Sequence, residues 1–447
     1  MDRRSFMKSA AVGAVAAVPF TALVARLNAA QDHRGGVRRG HTAGYGPLFP
    51  TNDGTTGLPL LLLPEGFRYV SFGWTGDPLE NGSPTPGSHD GMAAFAAGNG
   101  RARLIRNHER GRGAPFSSAA YDMAAAGGTT TLEFDTHRGE ILASRDSLSG
   151  TVRNCAGGPT PWGTWLTCEE TNDFATMPHG YVFEVPVDGL ADPTPLRAMG
   201  RFSHEAVAVD PGTGYVYETE DAGSSSGFYR FVPDVDGDLA AGGNLSMLKV
   251  KGASLVNLGA SYANGTTFDV EWVPIAIPDN PVPASPGTFV WAQGRAQGAA
   301  TFARLEGCSY GNDAKIYIVS TNGGIGQGQI WEYDPSAEKI RLLFQSPGVD
   351  VLNAPDNITV SPRGGLVLCE DGSGLEYLHG LTVDGEIFRF AQNNVVLNGE
   401  RNGIVGDFRG SEWAGACYSP DGKWLFANIQ SPGITFAIAG PWKSGAL

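Results

Sequence analysis

The feature that most constrains this fold is a short segment that recurs along the chain, at intervals of about 50 residues for most neighbouring copies. Each copy starts with glycine and continues with alternating aromatic and β-branched residues, as in GYVFEV and GEIFRF. Such period-two alternation predicts β-strands. The six copies begin at Gly128, Gly180, Gly227, Gly328, Gly385 and Gly433. Repetition at this interval, with almost no helical periodicity, predicts a closed all-β architecture.

The hairpins that precede most of these segments predict how the strands are arranged. Their turns, such as DPGTG at 210–214 and SPDGK at 419–423, supply the proline and glycine that tight antiparallel turns need. Three or four antiparallel strands per repeat predict an all-β fold, a β-propeller with six blades. Seven blades remain an alternative, because residues 249–289 are poorly patterned. We expect a single propeller domain over 65–447, preceded by an extended or loop segment over 31–64.

The N-terminus predicts an exported protein. Arg3 and Arg4 precede an uncharged, alanine-rich run over 9–25, which is the layout of a twin-arginine signal peptide, and we assign that peptide to residues 1–30. A membrane-spanning helix fits less well, because the run is short and contains Pro19. We therefore expect export by the twin-arginine machinery to the periplasm or the cell exterior, with no stable membrane insertion after the signal is removed.

Charge and cysteine content exclude several classes of protein. The formal net charge of −14 argues against nucleic acids and anionic membranes as partners, because both require a basic surface. The five cysteines are an odd and sparse set, so a disulfide scaffold is not expected. The expected partner is a small molecule, and the expected oligomeric state is a monomer.

Acidic residues end the second strand of several predicted hairpins. In a propeller, equivalent strand ends from all blades meet on one face around the central channel, so these side chains should converge. The endings concerned are Cys168, Glu169 and Glu170, then Glu218, Glu220 and Asp221, and finally Cys369, Glu370 and Asp371. One acid at a strand end is usually a solvated turn residue, but recurrence in register favours metal ligation. The charge gathered there would be costly without cations.

Further polar residues in apolar segments are expected to reach the same region. They are Asn107, His108, Glu109, His204, Glu205, Glu306, Asp356, Asn357 and Glu412. Carboxylate and amide oxygens suit calcium, whereas a thiolate among carboxylates suits a transition metal such as iron. The mixed set therefore predicts more than one kind of metal ion. His108 and His204 fit equally well as metal ligands and as hydrogen-bonded core histidines.

Several long segments resemble the PhoX-type alkaline phosphatase family. They are NCAGGPTPWGTWLTCEET at 154–171, RNHE at 106–109, GRFSHEAVAV at 200–209, ETEDAGSSSGFYRFVPDVDGDL at 218–239 and EWAGACYSPDGKWLFANIQSPG at 412–433. The resemblance implies a six-bladed propeller, exported by the twin-arginine route, that hydrolyses phosphate monoesters. It also implies a cofactor cluster of Fe³⁺ and Ca²⁺ ions at the mouth of the channel.

The resemblance also implies roles for individual residues. Cys168 would supply the thiolate on iron and Arg304 would bind the phosphoryl oxygens, although Leu305 stands where the family has proline. The predicted catalytic residues are Cys168, Arg304 and Glu306. The predicted substrate-binding residues are Arg304, Asn107 and His108. The predicted metal ligands are Glu109, Cys168, Glu169, Glu170, Glu205, Glu220, Asp221, Glu306, Asp356, Glu370 and Asp371.

Two other functions are compatible with the same scaffold. The first is a calcium-dependent lactonase or esterase, which would use calcium among carboxylates and amides and would need no cysteine ligand. The second is a binding protein without catalytic activity, in which metal ions only hold the blades together. Elemental analysis separates the hypotheses, because iron together with calcium is expected for the phosphatase alone.

Overall fold

The structure is a computed structural model that describes residues 43–172, 175–281, 285 and 287–447. The predicted signal peptide and the first part of the predicted N-terminal segment lie outside these residues. Regular structure in the described part is nearly all β, which confirms the predicted all-β class. It also contains one short helix, α1 (Val290–Ala296). No described helix has the length and apolar character needed to cross a membrane.

The strands are antiparallel and follow one another along the chain. Up to residue 186 they are β1 Leu48–Thr51, β2 Leu61–Pro64, β3 Arg68–Phe72, β4 His89–Ala96, β5 Arg101–His108, β6 Gly127–Asp135, β7 Glu140–Thr151, β8 Asn154–Pro159, β9 Thr164–Glu169 and β10 Val182–Pro186. Up to residue 345 they are β11 His204–Val209, β12 Val216–Glu220, β13 Phe228–Pro233, β14 Gly243–Val250, β15 Thr267–Pro274, β16 Leu305–Tyr310, β17 Ile316–Ser320, β18 Gln329–Asp334 and β19 Lys339–Gln345.

The last part of the chain contributes nine more strands to the described structure. They are β20 Pro355–Val360, β21 Leu366–Glu370, β22 Tyr377–Leu381, β23 Ile387–Asn393, β24 Val396–Asn398, β25 Val405–Asp407, β26 Trp413–Tyr418, β27 Trp424–Ile429 and β28 Ile434–Ala439. Short 3₁₀ turns occur at Arg197–Met199, Gly223–Ser225, Leu239–Ala241 and Trp442–Ser444.

Six of the described strands form a closed ring, and we call them the inner strands: β4, β8, β11, β16, β20 and β26. Each inner strand contacts the next, and β26 contacts β4. Every inner strand begins a group in which the following two or three strands pair successively outward, as in β4-β5-β6-β7 and β8-β9-β10. β15 pairs with both β14 and β19 and so joins two groups into one sheet.

The group that begins with β26 combines strands from distant parts of the chain. There β3 pairs with β28, with Phe72 opposite Thr435, so an early strand completes the last group. The predicted extended or loop segment over 31–64 contains two strands in its described part. Of these, β2 pairs with β23, through Leu61 opposite Asn393, and β1 pairs with β2 at the edge of that sheet. This segment therefore extends an existing sheet.

The core lies between neighbouring groups, where side chains of adjacent sheets interlock. Phe134 from the first group packs against Phe426 and Phe72 of the last group, with ring centroids 5.1 and 5.2 Å apart. All three rings are buried. Burying a phenylalanine side chain contributes about 1.5–3 kcal/mol, so such contacts hold the ring closed.

Glycines allow the inner strands to approach one another closely. A Cβ atom at Gly307 would lie 2.6 Å from the carbonyl oxygen of Asp356 on the next inner strand. Gly415 has a φ of +60°, and its Cβ would lie 2.3 Å from the carbonyl oxygen of Asp90. Any other residue would force the backbones apart at both positions. This close packing brings the starts of the inner strands together.

Candidate metal centre

Each inner strand carries a β-bulge close to its first residue. We call the strand that pairs directly with an inner strand the second strand of its group; these are β5, β9, β12, β17, β21 and β27. The register between the inner strand and the second strand shifts between His89 and Met92, Asn154 and Gly157, His204 and Val207, Leu305 and Cys308, Pro355 and Ile358, and Ala414 and Cys417. A bulge re-aims the side chain of the extra residue. The residues at five of these bulges are Asp90, Cys155, Glu205, Glu306 and Asp356. One acid or thiol per strand is thereby placed at the same end of the ring.

A repeated backbone hydrogen bond holds the end of each second strand at the start of its inner strand. The residue before the inner strand accepts from the N–H of the residue after the second strand, as in Glu170 N–H to Arg153 at 2.8 Å. The other pairs are Glu109 to Ser88, Asp221 to Ser203, Thr321 to Arg304, Asp371 to Ala354 and Gln430 to Glu412. The residues that follow the second strands therefore lie beside the bulges.

Ligand atoms of three overlapping triplets lie within 4.8 Å of one another in the described structure. The triplets are Cys155, Glu170 and Glu205, then Glu205, Glu306 and Asp356, and finally Asp356, Asp371 and Glu412. We call these seven residues the acid cluster. Glu205 and Asp356 each belong to two triplets, so the three triplets adjoin one another.

Burial and mutual repulsion make the acid cluster unfavourable when it is fully ionised. Burial, followed by the charges of Glu306 and Glu170, raises the pKa of Glu205 well above its usual range. Both carboxylate oxygens of Glu205 are buried without a hydrogen-bond donor. Burial raises the pKa of Asp356 to about 7, and the charge of Asp371 adds to the shift. Unpaired buried carboxylates of this kind are stabilised either by protons or by cations.

Five of the predicted metal ligands belong to the acid cluster: Glu170, Glu205, Glu306, Asp356 and Asp371. Two more lie at its border. Glu109 interacts electrostatically with Asp371 and pairs with Arg153 at 3.2 Å. Asp221 adds to the raised pKa values of Glu170 and Glu306.

The structure places Cys168 away from the acid cluster. It lies in an apolar cluster with Leu166, Val182 and other core residues, and burial raises the pKa of its thiol well above the usual range. The structure therefore does not bring Cys168, the predicted thiolate ligand and catalytic residue, into the acid cluster, whereas Cys155 lies in it. Side chains alternate along a strand, so Cys168 points into the core of its sheet, whereas the bulge of β8 aims Cys155 at the acids.

Glu169 and Glu370 also differ from their predicted role as ligands, because they anchor loops. Glu169 accepts hydrogen bonds from the backbone N–H groups of Val152, Gly180 and Tyr181 and contacts His179 at 2.6 Å. Glu370 accepts from the N–H groups of Asn353 and Tyr377 and lies 2.9 Å from His379. Their lone pairs are thus engaged by the protein itself.

Glu220 is a third carboxylate that lies outside the acid cluster. It accepts a hydrogen bond from the Tyr229 hydroxyl, and burial raises its pKa to about 8. This buried pair sits between β12 and β13 and stabilises their group. The structure therefore does not bring Glu220, a predicted metal ligand, into the acid cluster.

Asn107 and His108, predicted to bind substrate, are fully buried structural residues. The Asn107 side-chain amide donates to the carbonyls of Cys155 and Ala156 at 3.0 and 2.8 Å, and its oxygen accepts from Trp165 and Thr167. The His108 ring lies 3.0 Å from the Gly87 carbonyl and 2.9 Å from the Thr130 hydroxyl. Asn107 thus fixes the bulge that presents Cys155, which is a positioning role.

The same device recurs around the ring. Asn428 on β27 donates to the Asp90 carbonyl at 2.7 Å, and Thr219 on β12 donates to the Glu306 carbonyl at 2.6 Å. In each case a polar side chain on the second strand of one group holds the bulge of the next group. Neighbouring groups therefore fix the geometry of the metal centre jointly.

Arg304, predicted to bind the phosphoryl group, lies at the rim of the acid cluster. Its Nε donates to Asp221 at 2.9 Å and its Nη2 donates to Glu306 at 2.5 Å. Burial disfavours the charged form, but the charges of Glu306 and Asp221 outweigh it and raise the pKa of Arg304. The side chain is one-third exposed, so a permanently charged guanidinium faces solvent beside the cluster.

A sequence model of the family described as alkaline phosphatase PhoX matches residues 43–148 and 142–433. The chain belongs to this family. The resemblance predicted from the sequence is therefore confirmed, and membership of the PhoX family supports a phosphatase function. A comparison with curated protein sequences found no match.

Solved structures support the fold of this PhoX family member. It is similar to Pseudomonas fluorescens PhoX in complex with vanadate, a transition-state analogue, at 19% identity and a TM-score of 0.67. The alignment covers 91% of this chain and 99% of that one. A gluconolactonase from Xanthomonas campestris aligns over 90% of this chain and 100% of its own, at 13% identity, but its TM-score of 0.43 is too low to support a conclusion.

Two residues at this site of the PhoX-family protein, Asp90 and Cys155, were not among the candidates predicted from the sequence. Burial, followed by the charges of Glu109 and Asp356, raises the pKa of Asp90 well above its usual range, so Asp90 lies within the field of the cluster. A usable signal exists in the sequence. An acid or a cysteine followed by glycine or alanine opens several inner strands, as in DG, CA, EA and EG.

Replacing Asn107 by alanine is expected to lower the free energy of unfolding by about 3 kcal/mol, because it leaves several buried polar groups unpaired. The measurement is chemical denaturation of the metal-free protein. Asn81, which is exposed, donates one hydrogen bond to the Phe116 carbonyl and accepts one from the Ser83 N–H, provides the control, and its replacement by alanine should change stability by less than about 1 kcal/mol. Equal losses for the two variants would contradict the positioning role.

Proposed function

We propose that this chain hydrolyses phosphate monoesters with metal ions held by the acid cluster, at one end of a six-bladed β-propeller. The blade count is supported by the inner strands, each of which starts one outward-running group in the described structure. The observation that carries the function is the convergence of Cys155 and six carboxylates beside a charged arginine, in a chain of the PhoX family.

The donor atoms of the acid cluster fit Fe³⁺ and Ca²⁺. The triplet of Cys155, Glu170 and Glu205 combines a thiol with carboxylates, which suits iron. The other two triplets contain only carboxylates, which suit calcium. The unpaired oxygens of Glu205 independently indicate that this carboxylate lacks a partner that the protein itself could supply. When bound, such ions would supply Lewis-acid polarisation and charge neutralisation for phosphoryl transfer.

Arg304 is the residue of this site best suited to bind the phosphoryl group. Its planar guanidinium can donate two parallel hydrogen bonds to phosphoryl oxygens and carries a positive charge at any working pH. Asp221 and Glu306 fix the plane of that guanidinium before substrate binds. Such preorganisation lowers the cost of orienting the ester. Hydrogen bonds from Asn107 and Thr219 fix the bulges that carry Cys155 and Glu306, and so keep these ligand residues in position.

The test combines metal analysis with a substrate comparison. Protein lacking residues 1–30 and loaded with iron and calcium should release phosphate from an aryl phosphate monoester at alkaline pH, and should act much more slowly on the matching diester and on a lactone. The Arg304→Ala variant should retain its metals and lose about 10- to 100-fold in kcat/KM. Calcium without iron, together with lactone hydrolysis, would refute the proposal in favour of the lactonase. Absence of all hydrolysis by metal-loaded protein would favour the non-catalytic alternative.

A further inference from the structure

Arginine occupies equivalent positions in two of the groups. Arg153 directly precedes inner strand β8, and Arg304 directly precedes inner strand β16. Both have left-handed backbone conformations, with φ of 51° and 49°. Both carbonyls accept the N–H of the residue after the second strand at 2.8 Å. Ser88 and Ala354, which precede β4 and β20, have the same backbone conformation. The conformation is therefore common to several groups, whereas an arginine at this position occurs in two of them.

The two guanidinium groups also have equivalent surroundings. Each bridges a carboxylate that follows the second strand of the preceding group and a carboxylate of its own group. Arg153 pairs with Glu109, its Nε lying 3.2 Å from Oε1, and donates through Nη2 to Glu170. Arg304 pairs with Asp221 and Glu306 in the same way. The side chain of Arg153 is 49% exposed and that of Arg304 is 33% exposed, so both guanidinium groups are accessible to a ligand in solvent.

The two arginines flank one carboxylate of the acid cluster. Glu170, the partner of Arg153, belongs to a triplet with Glu205. Glu306, the partner of Arg304, belongs to the other triplet of Glu205. The strand that carries Glu205, β11, lies between β8 and β16 in the ring. An anion bound over Glu205 and its cations would therefore have a guanidinium on either side.

We propose that Arg153 is a second phosphoryl-binding residue, which donates hydrogen bonds to the bound phosphate group from the side of β8 while Arg304 donates from the side of β16. The inference rests on the proposed function. In the metal-free protein, Arg153 neutralises Glu109 and Glu170. A cation held by Glu170 would take over part of that neutralisation and would leave N–H donors of the guanidinium available to phosphoryl oxygens. A dianionic ester beside an acidic cluster gains from a second fixed positive charge.

The test compares Arg153→Ala and Arg153→Lys with the unsubstituted protein, all lacking residues 1–30 and loaded with iron and calcium. Arg101→Ala is the matched control, since the Arg101 side chain is 50% exposed and pairs with Glu133 at 2.7 Å. It lies at the opposite end of β5 from Glu109. The readouts are metal content by elemental analysis, affinity for inorganic phosphate by calorimetry, and kcat and KM for an aryl phosphate.

Arg153→Ala is expected to keep its metals, to bind inorganic phosphate about 10- to 100-fold more weakly and to lose kcat/KM by a similar factor. Arg153→Lys should recover part of the affinity, because lysine restores the positive charge but not the planar, bidentate hydrogen-bonding group of arginine. Arg101→Ala should match the unsubstituted protein. Unchanged phosphate affinity at equal metal content, or a loss of metal, would overturn the inference and leave the phosphatase function standing. An unsubstituted, metal-loaded protein that neither binds nor releases phosphate would refute both.

Discussion

Replacing Cys155 by serine is expected to remove the transition metal and to lower phosphatase activity by about 10³-fold. Cys155 is the one thiol of the acid cluster, and a serine hydroxyl neither ionises near neutral pH nor offers a soft donor atom. Burial, with the charges of Asp90 and Glu205, raises the pKa of the Cys155 thiol well above its usual range. The thiolate therefore needs a bound cation. Iron content by elemental analysis and turnover of an aryl phosphate provide the measurements.

Cys168→Ser is the matched control for this prediction. Cys168 is equally buried but lies outside the acid cluster, packed in an apolar cluster and near Glu218 and Cys308, so its replacement should retain iron and activity while lowering the free energy of unfolding by about 1–2 kcal/mol. Calcium content should be nearly unchanged in both variants, because the all-carboxylate triplets do not include either cysteine. If Cys168→Ser lost iron and Cys155→Ser kept it, Cys168 and not Cys155 would supply the thiolate.

Removing the cations is expected to abolish activity and to invert the dependence of stability on pH. In the metal-free protein, burial raises the pKa of Asp356 and of Glu170 to about 7, above their values in the unfolded chain. The folded state then holds protons that the unfolded state releases. Its free energy of unfolding should consequently fall by at least about 3 kcal/mol as the pH rises from about 4 to about 8.

The metal-loaded protein should behave in the opposite way over the same pH range. Cations bind the deprotonated carboxylates and so compete with protons, which means that metal affinity and stability both rise with pH. Chemical denaturation of chelated and reloaded protein at several pH values measures the two slopes. Parallel slopes for the two forms would show that the acid cluster does not hold the cations. Activity that survived exhaustive chelation would lead to the same conclusion.

The repeat predicted most of the fold because strand patterning and turn chemistry are local properties. Segments such as GYVFEV and GITFAI correspond to β10 and β28, and the SPDGK turn connects β26 to β27. The pairing of β3 with β28 had no equivalent local signal, since the partners lie at opposite ends of the chain. That long-range pairing completes the group that begins with β26.

The candidate site was predicted less accurately, for a geometric reason. Strand ends were expected to carry the ligands, and the structure brings Glu170 and Asp371, which follow second strands, into the acid cluster. Adjacent Glu169 and Glu370 instead accept backbone hydrogen bonds from loops. Side chains of consecutive strand residues point to opposite faces of the sheet, so a shift of one residue changes which side chains face the site. A sequence cluster such as CEE therefore does not indicate which of its members reaches the site.

By itself, the sequence determined the all-β class, the family and the set of acidic segments from which the cluster is drawn, because composition and period-two patterning are carried by neighbouring residues. The tertiary structure alone decided which thiol and which carboxylates meet. That choice depends on bulges in the inner strands, and these are held by Asn107, Asn428 and Thr219 from neighbouring groups. Contacts between groups that are remote in the chain exist only once the ring has closed.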